Sequence, residues 1–385
     1  MSEVTEWMDK WGPEKIIVVH DTRTGMKGML VIDNTARGMG KGGCRIAPDV
    51  TLWDCFRLAR TMTWKWAIAD VFLGGAKAAI VVDPKDPNKE EIVRAFVRAI
   101  RKFLPDEYVF GNDMGFSGKD EAIVIDECGG DARVAIGTPA ALGGLPYDEM
   151  GLTGYGVAEV TGVAVEYCGL NLNEASIAIQ GLGAVGSFTA RYLSQKGAKI
   201  VAISSIEGAL YDPNGLNIER LCKLREECGD SAINEYAEAK VIPTGEEVKL
   251  GVDILIPAAG GDVISEENAG DVKAKLIVEG ANFPITNGAE RILDEKGVLI
   301  VPDIVANAGA AIGAGLAMHQ RYSYCGIEQC EIYSTIRQKI TSNVSLVLNE
   351  ARKRNRSPRQ VALEIAQERV LEAMKVKGRI PKPRS

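Results

Sequence analysis

Histidine is scarce: the 385 residues contain only His20 and His319. A His-rich metal site is excluded, no metal centre is expected, and acid–base chemistry must rest mainly on Lys, Asp or Glu. No apolar run is long enough to span a bilayer, and no signal peptide precedes Trp11. The chain is therefore expected to be cytoplasmic, with no membrane association. C-x-x-C pairs are absent among the eight cysteines Cys44, Cys55, Cys128, Cys168, Cys222, Cys228, Cys325 and Cys330. They read as reduced thiols, mostly buried. Positive charge is in deficit, with a formal net charge of -7, which argues against general nucleic-acid binding. Internal repeats and low-complexity segments are missing too. What remains, 46% hydrophobic and 25% charged residues, is an ordinary globular composition. The length predicts about two or three domains.

The chain is organised around the stretch from Thr51 to Pro84. Thr51 followed three residues later by Asp54 predicts a capped helix start. Leu58, Met62, Trp66 and Ala69 then recur at helical spacing, with Lys65 on the same apolar side. A Gly74-Gly-Ala-Lys77 turn is expected to follow, leading into an apolar strand from Ala78 to Val82. Two lysines beside apolar surface need an account, because an unpaired buried ammonium is costly. Either both snorkel to water, or both point into a cleft that binds an anion and does chemistry.

Upstream, Glu14–His20 and Met26–Asn34 read as an antiparallel hairpin. The segment GMGKGGCRIAPDV comes next. Its glycines allow close backbone approach, and Lys41 and Arg45 stand among them. Downstream of the central stretch, Asn88–Leu104 reads as a second amphipathic helix. A short strand at Tyr108 then delivers Asn112 and Asp113 to a strand end, where sites tend to be built. Residues Gly137 to Pro146 read as a linker or hinge.

The second half opens with a buried strand, Ala175 to Gln180, running straight into Gly181-Leu-Gly183-Ala184-Val185-Gly186, a helix as far as Lys196, and a second strand from Lys199 to Ile203. This is G-x-G-x-x-G in strand–turn–helix–strand context, the pattern that places a helix N-terminus against a pyrophosphate. The usual acidic ribose-binding position falls near Ser204-Ser205-Ile206-Glu207. A serine there tolerates a 2'-phosphate and Glu207 suits a 2'-hydroxyl, so NAD and NADP both stay open. Further strands are expected at Asp253–Pro257, Lys275–Val278 and Val298–Val301, ending in Ala258-Ala259-Gly260, Glu279-Gly-Ala-Asn282 and Pro302-Asp303. Strands alternating with helices predict a parallel, doubly wound sheet. Asn307 leads into a small-residue helix, Ala310–Met318, and helices from Glu331 and Ser357 complete the chain.

Taken together, Lys41-Gly42-Gly43-Cys-Arg45, Met62-Thr-Trp-Lys65, Gly74-Gly-Ala-Lys77, Asn112-Asp-Met-Gly115, Thr153-Gly-Tyr-Gly156, Gln180 to Gly186, Glu279 to Asn282 and Pro302 to Gly309 resemble the Glu/Leu/Phe/Val dehydrogenase superfamily, glutamate dehydrogenase-like, over nearly the whole chain. The resemblance implies an α/β protein of two domains. An N-terminal α/β substrate domain, residues 1–146 joined by C-terminal helices 330–385, would accompany a Rossmann-type, doubly wound dinucleotide-binding domain, residues 151–318, with the active site in the cleft between them. It also implies a homo-oligomer, often a hexamer, and reversible oxidative deamination of an L-amino acid to a 2-oxo acid and ammonia, with hydride passing to NAD or NADP.

By this resemblance Lys65 binds the substrate α-carboxylate. Lys77 acts as base on water and stabilises the carbinolamine, its proton loosened by burial and by Lys65. Asp113 shuttles protons to and from the amino group. Thr153 and Asn307 hold the nicotinamide carboxamide, and Asn282 contacts a ribose. Lys41, with Gly42 and Gly43, lines the substrate pocket and matches the lysine that reaches a glutamate side-chain carboxylate. Ala314 stands where glutamate enzymes carry a serine, and Gly111, Ala311 and Ala314 are all small. Glutamate is thus the first expectation and a larger or non-acidic amino acid the second. A non-catalytic dinucleotide sensor and a 2-hydroxy-acid dehydrogenase compete with an amino-acid dehydrogenase. The sensor has no need of Lys65, Lys77 and Asp113, and the hydroxy-acid enzyme lacks a suitably placed His.

Overall fold

The computed structural model describes residues 2–323 and 326–380, so Cys325 and the last five residues lie outside the described residues. The chain divides into two compact units. The first comprises Met1–Tyr147, Ala311–Ile332 and Leu363–Ser385, and the second Asp148–Ala310 and Tyr333–Ala362.

The first unit contains α1 (Ser2–Glu6), β1 (Lys15–Asp21), β2 (Met26–Asn34), β3 (Gly40–Lys41), β4 (Cys44–Ile46), α2 (Leu52–Ile68), β5 (Gly74–Ile80), α3 (Lys89–Ile100), β6 (Tyr108–Val109) and α4 (Gly118–Glu127). Its sheet runs β1-β2-β5-β3-β6, with β4 also on β5. The β1–β2 hairpin is antiparallel, with Lys15 opposite Ile32 and Asp21 opposite Met26. Alternate residues of a strand face opposite sides. Leu30, Ile32, Ala76, Ala78 and Ile80 accordingly meet Phe96 and Ile100 of α3, while Met29, Val31 and Ala79 meet Cys55, Phe56 and Ala59 of α2.

The start of α2 is as expected: Asp54 N–H donates to Thr51 Oγ1 and Thr51 N–H to Asp54 Oδ2, both at 3.1 Å. Its buried face differs, however. It runs through Cys55, Ala59, Thr63 and Trp66, whereas Leu58 and Met62 are only half buried. The glycines before Lys77 explain the shift, since they form not a turn but the opening of β5. A Cβ on Gly75 would lie 2.0 Å from Thr63 Oγ1, so its absence lets the helix seat by small residues directly on the strand.

The second unit holds α5 (Leu152–Tyr167), β7 (Ser176–Gln180), α6 (Ala184–Gln195), β8 (Lys199–Ser205), β9 (Gly208–Tyr211), α7 (Ile218–Cys228), α8 (Ala232–Glu235), β10 (Lys240–Ile242), β11 (Ile254–Pro257), β12 (Leu276–Val278), α9 (Asn287–Glu295), β13 (Leu299–Val301) and α10 (Asp303–Ala306). The chain closes with α11 (Gly309–Ser323), α12 (Gln329–Arg354) and α13 (Pro358–Val376). The sheet order is β10-β9-β8-β7-β11-β12-β13. The five strands from β8 to β13 are parallel, as expected. The edge pair β9 and β10 is antiparallel and was not expected, so the sheet is mixed. Those strands are only 4 and 3 residues long and are separated by α7 and α8, which leaves no periodic signal.

The C-terminal helices divide differently from the expected boundaries. Residues 333–362 group with the dinucleotide-type sheet and 311–332 with the first unit, whereas the sequence reading ended the sheet domain at 318 and returned 330–385 to the N-terminal one. The reason is packing. Arg337 of α12 donates to Tyr155 Oη at 3.1 Å, Tyr333 and Tyr192 hydroxyls are 3.0 Å apart, and Ile340 fills the space beside Gly156. On α11, Gly315 meets Val71, and Arg321 donates to Leu142 O at 3.2 Å and to Thr138. Among the described residues, no helix is long and apolar enough to cross a membrane, and no group of three or more His, Cys, Asp or Glu could hold a metal ion.

Candidate active site

In the first unit β3 pairs with β5 in parallel register, Lys41 opposite Gly75. Lys77 lies two residues beyond Gly75, so Lys41 and Lys77 project on one face of the sheet, the face α2 covers. Lys65, half buried, stands in the last turn of that helix. The short β6 leads to the loop bearing Asn112 and Asp113. Backbone hydrogen bonds between Asp113 and Phe116, at 2.9 and 3.1 Å, close a turn in which Gly115 takes φ +76°.

This geometry joins the two expected catalytic residues. Lys77 Nζ is 2.5 Å from Asp113 Oδ2, with side chains only 7% and 13% exposed. Asp113 Oδ1 accepts from Arg45 Nη2 at 3.2 Å and from Met114 N–H at 2.8 Å. Burial alone would push this carboxyl up; Lys77, Arg45 and the Met114 amide together hold it below its ordinary value. Beneath the pair, the Cys55 thiol donates to Lys77 O at 3.2 Å.

Lys41 is 2% exposed. Its ammonium donates to Phe110 O at 2.8 Å, and its own carbonyl accepts from Trp66 Nε1 at 2.9 Å. Tyr108 Oη donates to Gly42 O at 2.9 Å. A Cβ on Gly42 would lie 1.7 Å from Ala76 O, one on Gly43 2.3 Å from Asn112 O, and one on Gly111 only 1.9 Å from Lys41 Nζ. Gly42 and Gly43 thus let adjacent backbones pass. Gly111 does not enlarge a pocket, as its size suggested; it is the seat of the Lys41 ammonium. Ala311 and Ala314 are buried on α11 and offer only methyl surface.

In the second unit the expected cofactor residues gather at the carboxyl ends of the parallel strands. Gly181 takes φ +105°, and a Cβ on Gly186 would meet Gly181 O at 1.9 Å, so both are required for the tight turn. Gly183 caps α6 without a side-chain hydrogen bond and faces open space. The first-turn N–H groups of Ala184, Val185 and Gly186 therefore form a donor row for an anion. Gln180 O and Oε1 accept from Ala258 and Ala259 N–H at 2.7 and 3.2 Å, tying the loop after β11 to β7.

The residues after β8 divide by role. Ser204 is fully buried: it accepts from Gly181 N–H at 3.0 Å and donates to Glu247 at 2.8 Å, so it braces the glycine turn rather than facing a ligand. Ser205 donates to Asp230 O at 3.2 Å. Glu207 is exposed and is held by Ser231 and Asn234 at 3.0 and 2.5 Å. Thr153 is half buried in the first turn of α5. Asn307 Nδ2 donates to Gly280 O, Ala281 O and Asn282 Oδ1 at 3.4, 3.3 and 3.0 Å. Three acceptors fix its amino side, leaving Oδ1 buried without a hydrogen-bond partner. A donor row suited to a pyrophosphate and an unused amide oxygen suited to a carboxamide N–H fit a nicotinamide dinucleotide.

Residues 143–378 match the family model described as Glutamate/Leucine/Phenylalanine/Valine dehydrogenase, and residues 13–129 match the Glu/Leu/Phe/Val dehydrogenase dimerisation domain. The chain belongs to the Glu/Leu/Phe/Val dehydrogenase family. It is 38% identical to a glutamate dehydrogenase of Aeropyrum pernix, over 90% of this chain and 85% of that one. It is 35% identical to the NADP-specific glutamate dehydrogenase of Saccharolobus shibatae, over 95% and 90%. A hetero-hexameric glutamate dehydrogenase from Thermus thermophilus, in a Leu-bound form, superposes with a TM-score of 0.85 at 29% identity, covering 96% of this chain and 91% of that one. Relatives include NAD-specific as well as NADP-specific enzymes. This dehydrogenase is an oxidoreductase acting on the CH–NH2 group of an amino acid, by reversible oxidative deamination with NAD or NADP.

Sequence reasoning gave no role to several residues around these sites. Arg45 stood inside the Lys41–Arg45 motif but showed no partner, because Asp113 is 68 residues away. Tyr147, which accepts from Asn112 N–H at 3.4 Å, stood just past the expected linker. Cys55 and Glu247 carried no local signal of these contacts.

Proposed function

We propose that the amino acid is L-glutamate, interconverted with 2-oxoglutarate and ammonia. The observation that carries this choice is Lys41, a buried ammonium seated on Phe110 O by the missing side chain of Gly111. A distal carboxylate is the side-chain chemistry that a buried ammonium binds most strongly. The curated relatives named above are glutamate dehydrogenases, which agrees.

In this reading Lys65 takes the α-carboxylate as a point charge. Asp113, kept ionised, accepts a proton from the substrate amino group. Lys77, in contact with that carboxylate, serves in its neutral form as base towards the attacking water and, once protonated, steadies the carbinolamine. Gly181–Gly186, Ala258, Ala259, Asn282, Asn307 and Thr153 hold the dinucleotide, whose bound nicotinamide supplies the hydride-accepting carbon. Ser205 and Glu207 lie at its ribose end. We also propose a hexamer, on the likeness to the hetero-hexameric Thermus thermophilus assembly, and that copies of this chain alone form it, to be checked by mass photometry of the purified single chain. The seven described cysteines are all free, which supports a reducing, cytoplasmic setting.

The decisive assay is NADH or NADPH oxidation with ammonia and 2-oxoglutarate, 2-oxoadipate, 4-methyl-2-oxopentanoate or phenylpyruvate. We expect 2-oxoglutarate to give the highest kcat/KM, and Lys41→Leu to lower that value by about 10- to 100-fold, the worth of a hydrogen bond to a charged group. A higher kcat/KM with phenylpyruvate overturns the reading. Lys77→Ala should cost about 10²- to 10⁴-fold in kcat and leave dinucleotide affinity unchanged.

A further inference from the structure

The motif residues Glu279 and Asp303 have no place in the chemistry above, yet both are completely buried. They converge on Arg359, the second residue of α13. Arg359 Nη2 donates to both oxygens of Glu279 at 2.6 Å, Nη1 to Asp303 at 3.0 Å, and Nε to Glu290 at 2.6 Å. A cation in the first turn of a helix opposes the helix dipole, so the three acids, not the helix, account for its presence.

Each acid in turn grips backbone. Glu279 Oε2 accepts from Asp303 N–H at 2.7 Å, and Asp303 Oδ2 from Phe283 N–H at 3.0 Å. Phe283 is held at φ +50°, a left-handed conformation rare for a bulky residue, and its carbonyl accepts from Asp262 N–H at 2.8 Å. The clamped segments are 279–283 and 303–307. They carry Asn282 and Asn307, bonded to each other at 3.0 Å.

We propose that Arg359 is a positioning residue for the nicotinamide half of the cofactor: through Glu279 and Asp303 it fixes the two segments that present Asn282 and Asn307. The proposal rests on the reading that these two amides hold the dinucleotide. It differs from a merely structural staple in one respect. ADP lacks the nicotinamide half that, in this reading, the two asparagines hold, so a positioning role affects the full dinucleotide and spares ADP, whereas general loosening of the unit weakens both.

The experiment measures affinity for the reduced dinucleotide that supports turnover, and for ADP, on the intact enzyme by fluorescence and calorimetry. Arg359→Lys keeps the charge and loses the planar fork; we expect at least fivefold weaker dinucleotide binding with ADP affinity within twofold of the parent. Arg359→Met should exceed that loss; should it not fold, Arg359→Lys carries the test alone. Asn307→Ala checks the underlying reading. If Asn307→Ala weakens the dinucleotide and Arg359→Lys does not, the positioning role is overturned while the asparagine reading stands. If Asn307→Ala binds the dinucleotide as the parent does, the asparagine reading falls and the positioning role falls with it. Equal loss of ADP and dinucleotide in Arg359→Lys also overturns the positioning role.

Discussion

Lys41 keeps its place because residue 111 has no side chain. Gly111→Ala would put a methyl carbon within 1.9 Å of the ammonium, and the long side chain must give way rather than the backbone. We expect a raised KM for 2-oxoglutarate with little change for apolar 2-oxo acids, read from the same substrate panel. Arg45 acts differently, through charge. It and Lys77 hold the Asp113 carboxyl down against burial. In Arg45→Gln that carboxyl titrates higher, so the acidic limb of the kcat/KM profile should move to higher pH; a limb that stays in place would detach Arg45 from the proton path. Residue types announced Lys65, Lys77 and Asp113 in the sequence, since lysines and a carboxylate beside apolar runs demand an explanation. Arg45 and Arg359 stayed hidden because their partners lie 68 and as many as 80 residues away, and no local pattern encodes a contact of that span.

At the scale of elements, what the sequence specified locally came out where expected. The bounds of β2 are Met26–Asn34 in both sequence and structure, and the Thr51–Asp54 capping box is formed. Thr51→Ala should cost about 1 kcal/mol of stability, measured by denaturant unfolding, and should also raise the KM for the amino acid, because α2 carries Lys65. Elements defined by long-range partners were less legible. The buried stripe of α2 was displaced by the glycines of β5, which a helical wheel cannot anticipate. The helix expected from Glu331 formed as α12, but its neighbour, α5, by way of Ile340 against Gly156, was not legible. Short edge strands such as β9 and β10 follow from the sheet they complete rather than from their own residues.

For the whole molecule, the buried acids set the response to pH. Burial, outweighing the Arg359 guanidinium, pushes Glu279 up to about 8 from an ordinary 4.5, and burial likewise raises Asp33, beside Arg60, to about 6 from 3.8. Because these folded-state values exceed the unfolded ones, the native protein holds protons that the unfolded chain releases. Their contribution to stability is complete below the unfolded values and is lost as pH rises through the folded ones. Carboxylates held low, such as Asp113, act in the opposite sense, but only in acid. Stability should therefore decline from about pH 4.5, near the unfolded values, to about pH 8, with Asp33 contributing only below about pH 6 and Glu279 throughout, and Glu279→Gln should flatten the part above pH 6; a parent protein whose unfolding midpoint is constant over this range contradicts it.

The division of the chain between units has a consequence for taking the enzyme apart. The backbone passes from one unit to the other after residues 147, 310, 332 and 362, so neither unit is a single stretch of gene. A stop codon after residue 310 leaves the second unit without 333–362, and with it the Arg359 that donates to Glu279 and Asp303. A fragment that starts at 148 and runs to the end carries orphaned pieces of the first. No single cut separates two self-sufficient halves, and swapping the dinucleotide half between relatives requires four junctions, three of them in or beside helices.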